Sequence, residues 1–227
     1  MSISLPVLLA LDTSTRLVGL ALYDGAQVLA ESAWLSNDYH TVELAPAVDA
    51  LLARCGLKPS DLDAIAVSIG PGSFTGIRIG LALAKGLALA RHIPLVGIPT
   101  LDVLVSAQPQ QPLPMAAVLR AGRGRLAVGW YRWSDDAWRP SNKIEVLTPE
   151  ELIDRILEPT IVCGELGAEE RQLFARKRNE ALLATPAWSL RRASFLAETG
   201  WQRWQAGQID DPVSLAPIYL HYNDPIP

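Results

Sequence analysis

The chain has 227 residues, 49% of them hydrophobic and 19% charged, so it can bury one large core or two small ones. This composition excludes an intrinsically disordered chain. The formal net charge of −4 argues against binding RNA or DNA without a partner, because nucleic-acid-binding domains usually carry a basic excess.

The first half of the sequence predicts strands followed by alternating helices and strands. Apolar runs predict strands at roughly 7–12, 18–23 and 28–34, and an Asp-Gly turn after the second strand predicts an antiparallel meander. Helical spacing of apolar residues then predicts a helix over about 41–55. The remaining predicted elements are a buried strand at 64–70, a helix at 75–90, a strand at 94–98 and a helix from 100 to about 107.

The proline-rich stretch QPQQPLP at 108–114 predicts a boundary between an N-terminal subdomain, 1–106, and a C-terminal subdomain, 107–227. In the second part, two strands flank the turn AGRGR, and TPEEL at 148–152 predicts a capping box. One strand at about 160–163 and helices at about 168–178 and 190–205 follow, and the final helix or tail can pack back on the first subdomain. The alternation of strands and helices predicts an α/β fold.

Cysteine use and hydropathy indicate a cytoplasmic protein. Cys55 and Cys163 stand far apart without a partner at metal-ligand spacing, which favours two buried thiols in a reducing compartment. The first residues lack the basic region of a signal peptide, and no segment is long enough to span a bilayer, so no membrane association is expected.

The helix predicted at 75–90 is apolar on nearly all sides. On a helical wheel only a narrow strip with Arg78 and Lys85 is polar, so the helix needs a second partner besides its own sheet. Small residues repeat every four positions along it and would admit another helix closely; they are Gly76, Gly80, Ala84 and Ala88, with Ile77 and Leu81 beside them. This ridge could also pack inside the monomer, but the prediction is a partner interface. Gly80→Leu is then expected to abolish pairing and to leave the monomer folded.

The glycine-rich corner before this helix raises the question of phosphate binding. GPGS at 70–73 could aim backbone N–H groups at an anion, but it is neither a Walker loop nor GxGxxG, so tight-turn chemistry is favoured. Asp12 ends a predicted buried strand and precedes Thr13 and Ser14, as in some ATPases that hold a metal and phosphate. The alternative is that Asp12 caps a turn.

Other catalytic arrangements are missing from the sequence. The three histidines, His40, His92 and His221, include no pair at helix-face spacing, so neither HExxH nor a similar metal site is present. A GxSxG nucleophile motif is also lacking. We expect no catalytic residue, no bound metal and no cofactor.

Several stretches together resemble one protein family, the bacterial tRNA threonylcarbamoyladenosine biosynthesis protein TsaB, also called YeaZ. They are LALDTSTRLVGLALYDG, YHTVELAPAVDALL, SIGPGSFTGIRIGLALAKGLALA, PLVGIPTLDVL and LAPIYLH. The resemblance implies two subdomains with the fold of actin, acetate kinase and sugar kinases, in which mixed sheets are flanked by helices. It also implies a non-catalytic paralogue of TsaD, which transfers threonylcarbamoyl to N6 of adenosine 37 in tRNAs that read ANN codons.

The same resemblance implies the partners. Family members pair with TsaD, or with themselves when TsaD is absent, through the first two helices; the ATPase TsaE docks nearby, and tRNA is reached only through the complex. Carried onto this sequence, the expected interface is His40, Leu44, Val48, Phe74, Gly76, Ile77, Gly80, Leu81, Ala84 and Ala88. TsaD holds its metal through a histidine pair, and the comparable stretch here, 100–108, contains no histidine.

One stretch departs from the family pattern. In LRAGRGRLAVGWY at 119–131, Arg120 and Arg125 stand where many relatives have acidic residues, and cations there would repel a metal. These arginines either contact a phosphate or lie in a solvated turn. The full candidate site for a nucleotide or anion is therefore Asp12, Thr13, Ser14, Gly70, Gly72, Ser73, Arg120, Arg123 and Arg125.

Two rival functions remain open at this point. An independent ATPase or kinase-like phosphotransferase would use Asp12 and the corner at 70–73. An autonomous metallopeptidase would need a metal that the histidine content does not supply.

Overall fold

A computed structural model describes residues 5–37, 40–177 and 179–220. The chain divides into two compact units, one made by Met1–Val103 with Arg192–Ile218 and the other mainly by Leu104–Arg191. The segment Arg192–Ile218, with the final helix, thus belongs to the first unit, which was one of the two placements open from the sequence. The division after Val103 lies slightly before the predicted boundary at 106/107.

The elements follow one another along the chain in a largely α/β order. The strands are β1 (Leu8–Asp12), β2 (Leu17–Tyr23), β3 (Val28–Leu35), β4 (Ala64–Ser68), β5 (Leu95–Ile98), β6 (Met115–Gly122), β7 (Arg125–Ser134), β8 (Ala137–Pro140), β9 (Glu145–Leu147), β10 (Thr160–Gly164) and β11 (Ala181–Leu183). The helices are α1 (His40–Arg54), α2 (Phe74–Arg91), α3 (Thr100–Ser106), α4 (Pro149–Arg155), α5 (Ala168–Phe174) and α6 (Ala193–Gln205).

The first unit contains a five-stranded mixed sheet in the order β3-β2-β1-β4-β5. Strands β1, β2 and β3 form the predicted antiparallel meander, while β4 and β5 run parallel to β1. Because side chains alternate along a strand, Leu9 and Leu11 of β1 pack towards α1 and α2, whereas Leu8 and Ala10 pack towards α6. Helices therefore cover both faces of this sheet.

The segment that follows α6 lies along β5, the last strand of the sheet. The Asp210 N–H donates to the Leu95 carbonyl at 2.8 Å, and the Asp210 carboxylate accepts from the Gly97 N–H at 2.8 Å. Further on, the Ile218 N–H donates to the Ile69 carbonyl at 2.7 Å. This segment, 210–218, covers the outer edge of β5 with the protein's own chain.

The second unit contains a six-stranded mixed sheet in the order β11-β10-β6-β7-β8, with β9 paired to β7. The two strands predicted around AGRGR pair as β6 and β7, which confirms that hairpin. The predicted capping box is also confirmed, since the Thr148 hydroxyl accepts from the Glu151 N–H and the Glu151 carboxylate accepts from the Thr148 N–H. With two mixed sheets flanked by helices, the predicted α/β class is confirmed.

Several element boundaries differ from the prediction. The short strands β8, β9 and β11 were not predicted, because strands of three or four residues leave little periodic signal. The helix predicted over 168–178 ends at Phe174 and continues as a 3₁₀ turn, Ala175–Lys177, while position 178 lies outside the described residues. No helix among the described residues is long and apolar enough to span a bilayer.

The start of α6 is held to β3 by Glu31. The Glu31 carboxylate accepts from the Arg192 guanidinium at 2.6 Å, and from the Ser194 N–H and hydroxyl at 3.0 and 2.9 Å. Burial by itself raises the pKa of Glu31, but hydrogen bonds from Arg192 and Ser194 outweigh it and leave the pKa below its ordinary value.

A carboxylate whose pKa is lowered by folding stabilises the fold above its unfolded-state pKa, near 4.5, and loses this contribution as the pH falls further. We therefore expect the Glu31→Gln protein to have a lower free energy of unfolding at pH 7 than the wild type. Between pH 5 and pH 3 the free energy of unfolding of the variant should fall less than that of the wild type. Urea denaturation at several pH values measures this. Glu180→Gln, at an exposed glutamate, is the control. An unchanged pH dependence in Glu31→Gln would contradict the assignment.

Candidate functional site

The glycine-rich corner, 70–73, joins β4 to α2, and its backbone groups bond to the protein itself. Gly70 N–H donates to the Thr100 hydroxyl at 3.1 Å, and Thr100 N–H donates to the Gly70 carbonyl at 2.8 Å. Ser73 caps α2, because its hydroxyl accepts from the Gly76 N–H at 3.2 Å. Ser73 N–H donates to the Ser14 carbonyl at 2.6 Å. The amides of Gly70 and Ser73 are therefore already used.

The loop after β1 lies against this corner and is buried. Thr13 donates its hydroxyl to the Gly76 carbonyl at 2.7 Å, and Thr100 donates its hydroxyl to the Ser14 hydroxyl at 2.8 Å. Asp12 is only 2% exposed, and its carboxylate accepts from the Ser14 N–H at 2.9 Å. This is the geometry of an aspartate that caps a turn, the alternative to a metal-holding or phosphate-holding one.

Three glycines make this close packing possible. A Cβ atom at Gly72 would collide with the Ser14 carbonyl oxygen, and one at Gly76 would collide with the Thr13 carbonyl oxygen. At Gly80 the obstacle would be the Thr13 hydroxyl oxygen. The loop 12–15, the corner and the first two turns of α2 thus form one contact, called here the loop–helix contact, in which the glycines of the corner and α2 meet the backbone of the loop and the side chain of Thr13.

The orientation of α2 corrects the predicted interface. The four ridge residues and two neighbours are buried in the first unit: Gly76, Ile77, Gly80, Leu81, Ala84 and Ala88. On α1, Leu44 and Val48 are buried in the same core, and the buried His40 ring bonds to the Thr15 carbonyl at 3.1 Å. Of the predicted interface residues only Phe74 is well exposed, at 55%. The small-residue ridge packs inside the monomer because the loop 12–15 requires it there.

A different face of the two helices points outward. Both helices pack on the same core, so their exposed residues lie on the outside of one layer. This α1/α2 outer surface consists of the exposed residues of the two helices, namely Thr41, Val42, Ala45, Pro46, Asp49, Ala50, Ala53 and Arg54 of α1 and Phe74, Thr75, Arg78, Ala82, Gly86, Leu89, Ala90 and Arg91 of α2. Ala82, Gly86 and Ala90 form a second small-residue ridge, and a Cβ atom at Gly86 would meet nothing within 4 Å. The prediction placed the interface on the ridge of Gly76, Gly80, Ala84 and Ala88 and did not consider this second ridge.

The arginines of the candidate anion site lie in the second unit, around the β6–β7 turn. The Arg120 guanidinium forms an ion pair with Glu170 at 3.1 Å, and the Arg120 N–H donates to Glu165 at 3.3 Å. Arg123 occupies the exposed turn in a left-handed conformation, with a φ of 50°. The structure joins Asp12, Thr13 and Ser14 to the corner 70–73, but it gives Arg120 a carboxylate partner of its own.

Metal-binding groups do not gather in the part of the chain that the structure describes, where no three His, Cys, Asp or Glu side chains are placed to share an ion. Cys163 is fully buried, and burial raises the pKa of its thiol to about 12, whereas Cys55 is only partly buried. His221 lies outside the described residues.

Comparisons with known proteins agree on one family. The model of the family described as "TsaD: tRNA N6-adenosine threonylcarbamoyltransferase" matches residues 33–175. The tRNA threonylcarbamoyladenosine biosynthesis protein TsaB of Bacillus subtilis is 30% identical to the chain over 94% of its length and 93% of the relative's length. The chain belongs to the TsaB family. TsaB of Escherichia coli is 31% identical over 66% of the chain and 65% of its own length.

Among solved structures, this TsaB-family chain is similar to YeaZ proteins. YeaZ from Pseudomonas aeruginosa has a TM-score of 0.76 and 28% identity, and the match covers 95% of this chain and 100% of that one. The resemblance to TsaB and YeaZ, with the fold that it implied, is thereby confirmed.

The loop–helix contact predicts how substitutions at two glycines of α2 differ. We expect Gly80→Leu to lower the free energy of unfolding by about 1–3 kcal/mol, because the side chain must enter a packed contact. Gly86→Leu should be neutral or stabilise by up to about 1 kcal/mol, because the site is open and leucine favours a helix. Urea denaturation of both variants tests this. A Gly80→Leu variant as stable as wild type would show that α2 does not rest on Thr13.

Proposed function

We propose that this TsaB-family protein is a non-catalytic subunit in the formation of N6-threonylcarbamoyladenosine at position 37 of tRNAs that read ANN codons, and that it pairs with TsaD through α1 and α2. The Bacillus subtilis relative, which matches nearly the whole chain, bears the name of that biosynthesis, and the matching family model is described as the transferase TsaD. The observation that carries the pairing is the ridge of small residues on the α1/α2 outer surface, Ala82, Gly86 and Ala90.

Gly86 is the main argument for close pairing. An exposed glycine in a helix costs about 1 kcal/mol relative to alanine, and no contact within the monomer requires it here. Ala82 and Ala90 stand one turn on either side, so the backbone of another helix could approach α2 along this ridge. The exposed side of α1 contributes the short side chains of Ala45 and Ala53, with the carboxylate of Asp49 between them.

Asp12 supports the non-catalytic part of the proposal. A catalytic or metal-holding carboxylate must reach its ligand, whereas Asp12 is buried and bonded to the Ser14 backbone. The neighbouring amides of Gly70 and Ser73 are bonded to Thr100 and Ser14. In this conformation the loop–helix contact occupies the groups that an ATPase would turn towards a phosphate, so the phosphotransferase alternative is disfavoured.

The remaining partners follow from the same family resemblance. TsaE would dock near the pairing helices, and a homodimer would form through them when TsaD is absent. With a net charge of −4, the protein would meet tRNA only through the complex, in the cytoplasm.

A charged side chain on the outer ridge tests the pairing. We expect Ala82→Arg to weaken binding to TsaD by about 2 kcal/mol or more, roughly 30-fold in Kd, because a long cation would block close approach of a second helix. Gln202→Arg, at an exposed position of α6, is the matched control and should bind as wild type does. Co-purification with TsaD and titration calorimetry measure the binding.

Nucleoside mass spectrometry of tRNA provides the cellular test. Cells that depend on Ala82→Arg should lose threonylcarbamoyladenosine, and cells with Gln202→Arg should retain it. Full binding by a folded Ala82→Arg protein would reject the α1/α2 outer surface as the pairing site. Full modification in cells that lack this chain would reject the function.

A further inference from the structure

We propose that the outer edge of β3 pairs with the β3 edge of a second copy of this chain, so that two five-stranded sheets join into one. This inference rests on the sheet of the first unit and is independent of the pairing proposed for α1 and α2.

The two edges of this sheet differ in how they are covered. The β5 edge is covered by Asp210, which bonds to Leu95 and Gly97, and by the Arg203 side chain, which donates to the Gly97 carbonyl. Within the described residues, β3 pairs with β2 alone. An edge strand presents free N–H and C=O groups to any strand that fits.

The register shows which backbone groups face outward. The Ser36 N–H donates to the Arg16 carbonyl at 2.8 Å, and the pairing of Leu17 with Leu35 continues from there. In an antiparallel pair, alternate residues bond to the neighbour, so the even-numbered residues of β3 bond to β2. The N–H and C=O groups of Glu31, Ala33 and Leu35 therefore point away from the sheet.

This edge lacks the usual protection against pairing. From Val28 to Leu35 the strand contains neither proline nor lysine, and its one register shift lies at the hairpin end, beyond Ala30. Leu35 is 71% exposed, and the side chain of Ala33 is exposed as well. The single charge, Glu31, is already neutralised by Arg192. The outward edge over 31–35 is consequently both open and uncharged.

Charge and register favour a second copy of the chain as the occupant. With a two-fold axis at Ala33, all three outward residues pair between the copies. Ala33 lies opposite Ala33 of the second copy, and Glu31 of each copy lies opposite Leu35 of the other. Ser32 then lies opposite Trp34, and no like charges meet. An axis at Glu31 would place two carboxylates opposite each other, which is unfavourable. A basic peptide would gain little, because Arg192 already pairs with Glu31.

The experiment uses the full chain with Ala82→Arg, which removes pairing through the helices. Analytical ultracentrifugation at increasing concentration should show a monomer–dimer equilibrium. Added to this background, Ala33→Lys and Ala33→Glu should each lower the dimer fraction, because like charges meet at the two-fold axis. An equimolar mixture of the two should restore it, since the ammonium of one copy faces the carboxylate of the other.

Ala206→Lys and Ala206→Glu, at an exposed residue after α6, are the matched controls and should leave the dimer fraction unchanged alone and in mixture. Circular dichroism melting verifies that each variant folds, and hydrogen exchange should slow at the amides of Ala33 and Leu35 as the parent dimerises. The proposal would be overturned if the Ala82→Arg protein stays monomeric, or if its dimer fraction does not change when a charge is introduced at Ala33. The same holds for single variants whose dimer fraction the mixture does not restore.

Discussion

The first unit depends on the loop–helix contact, in which the residues after β1 lie against the glycines that begin α2. The Thr13 hydroxyl donates to the Gly76 carbonyl, and the Ser14 carbonyl accepts from the Ser73 N–H; Gly72 and Gly76 let the backbones of loop and helix meet, and Gly80 leaves room for the Thr13 side chain. Because protein interiors are close-packed, an approach of this kind permits only one rotation of the helix. The rotation of α2 decides what the protein presents to a partner.

That rotation turns one small-residue ridge inward and leaves another outside. The inner ridge at Gly76 and Gly80 serves the monomer, and the outer ridge at Ala82 and Gly86 has no such role in it. The same contact uses the Asp12 carboxylate and the corner amides in hydrogen bonds within the protein. Residues that resemble a phosphate site therefore stabilise the packing of the loop against the corner. The chain matches the family model of the transferase TsaD, but its loop after β1 is bonded to its own chain, which is the basis for the supporting role proposed above.

The return of the chain to the first unit shapes the two edges of its sheet. Helix α6 covers the face opposite α1 and α2, and Glu31 holds its start to β3 through Arg192 and Ser194. The segment after α6 then covers β5, whereas β3 pairs with β2 alone among the residues that the structure describes. Helix surface and strand edge are different kinds of contact, one made by short side chains and the other by backbone hydrogen bonds.

Local patterns in the sequence were enough to predict the meander, the capping box at Thr148, the α/β class and the family, because each depends on residues that are near neighbours in the chain. They also predicted that α2 is apolar on two sides, and they grouped Asp12, Thr13 and Ser14 with the glycine corner in one candidate site. Local patterns could not predict which side of α2 faces inward, because that depends on a contact with Thr13, some sixty residues earlier in the chain. The placement of α6 and the short strands β8, β9 and β11 likewise depend on distant partners. Periodicity identifies the faces of an element, and only packing against the rest of the chain decides which face is buried.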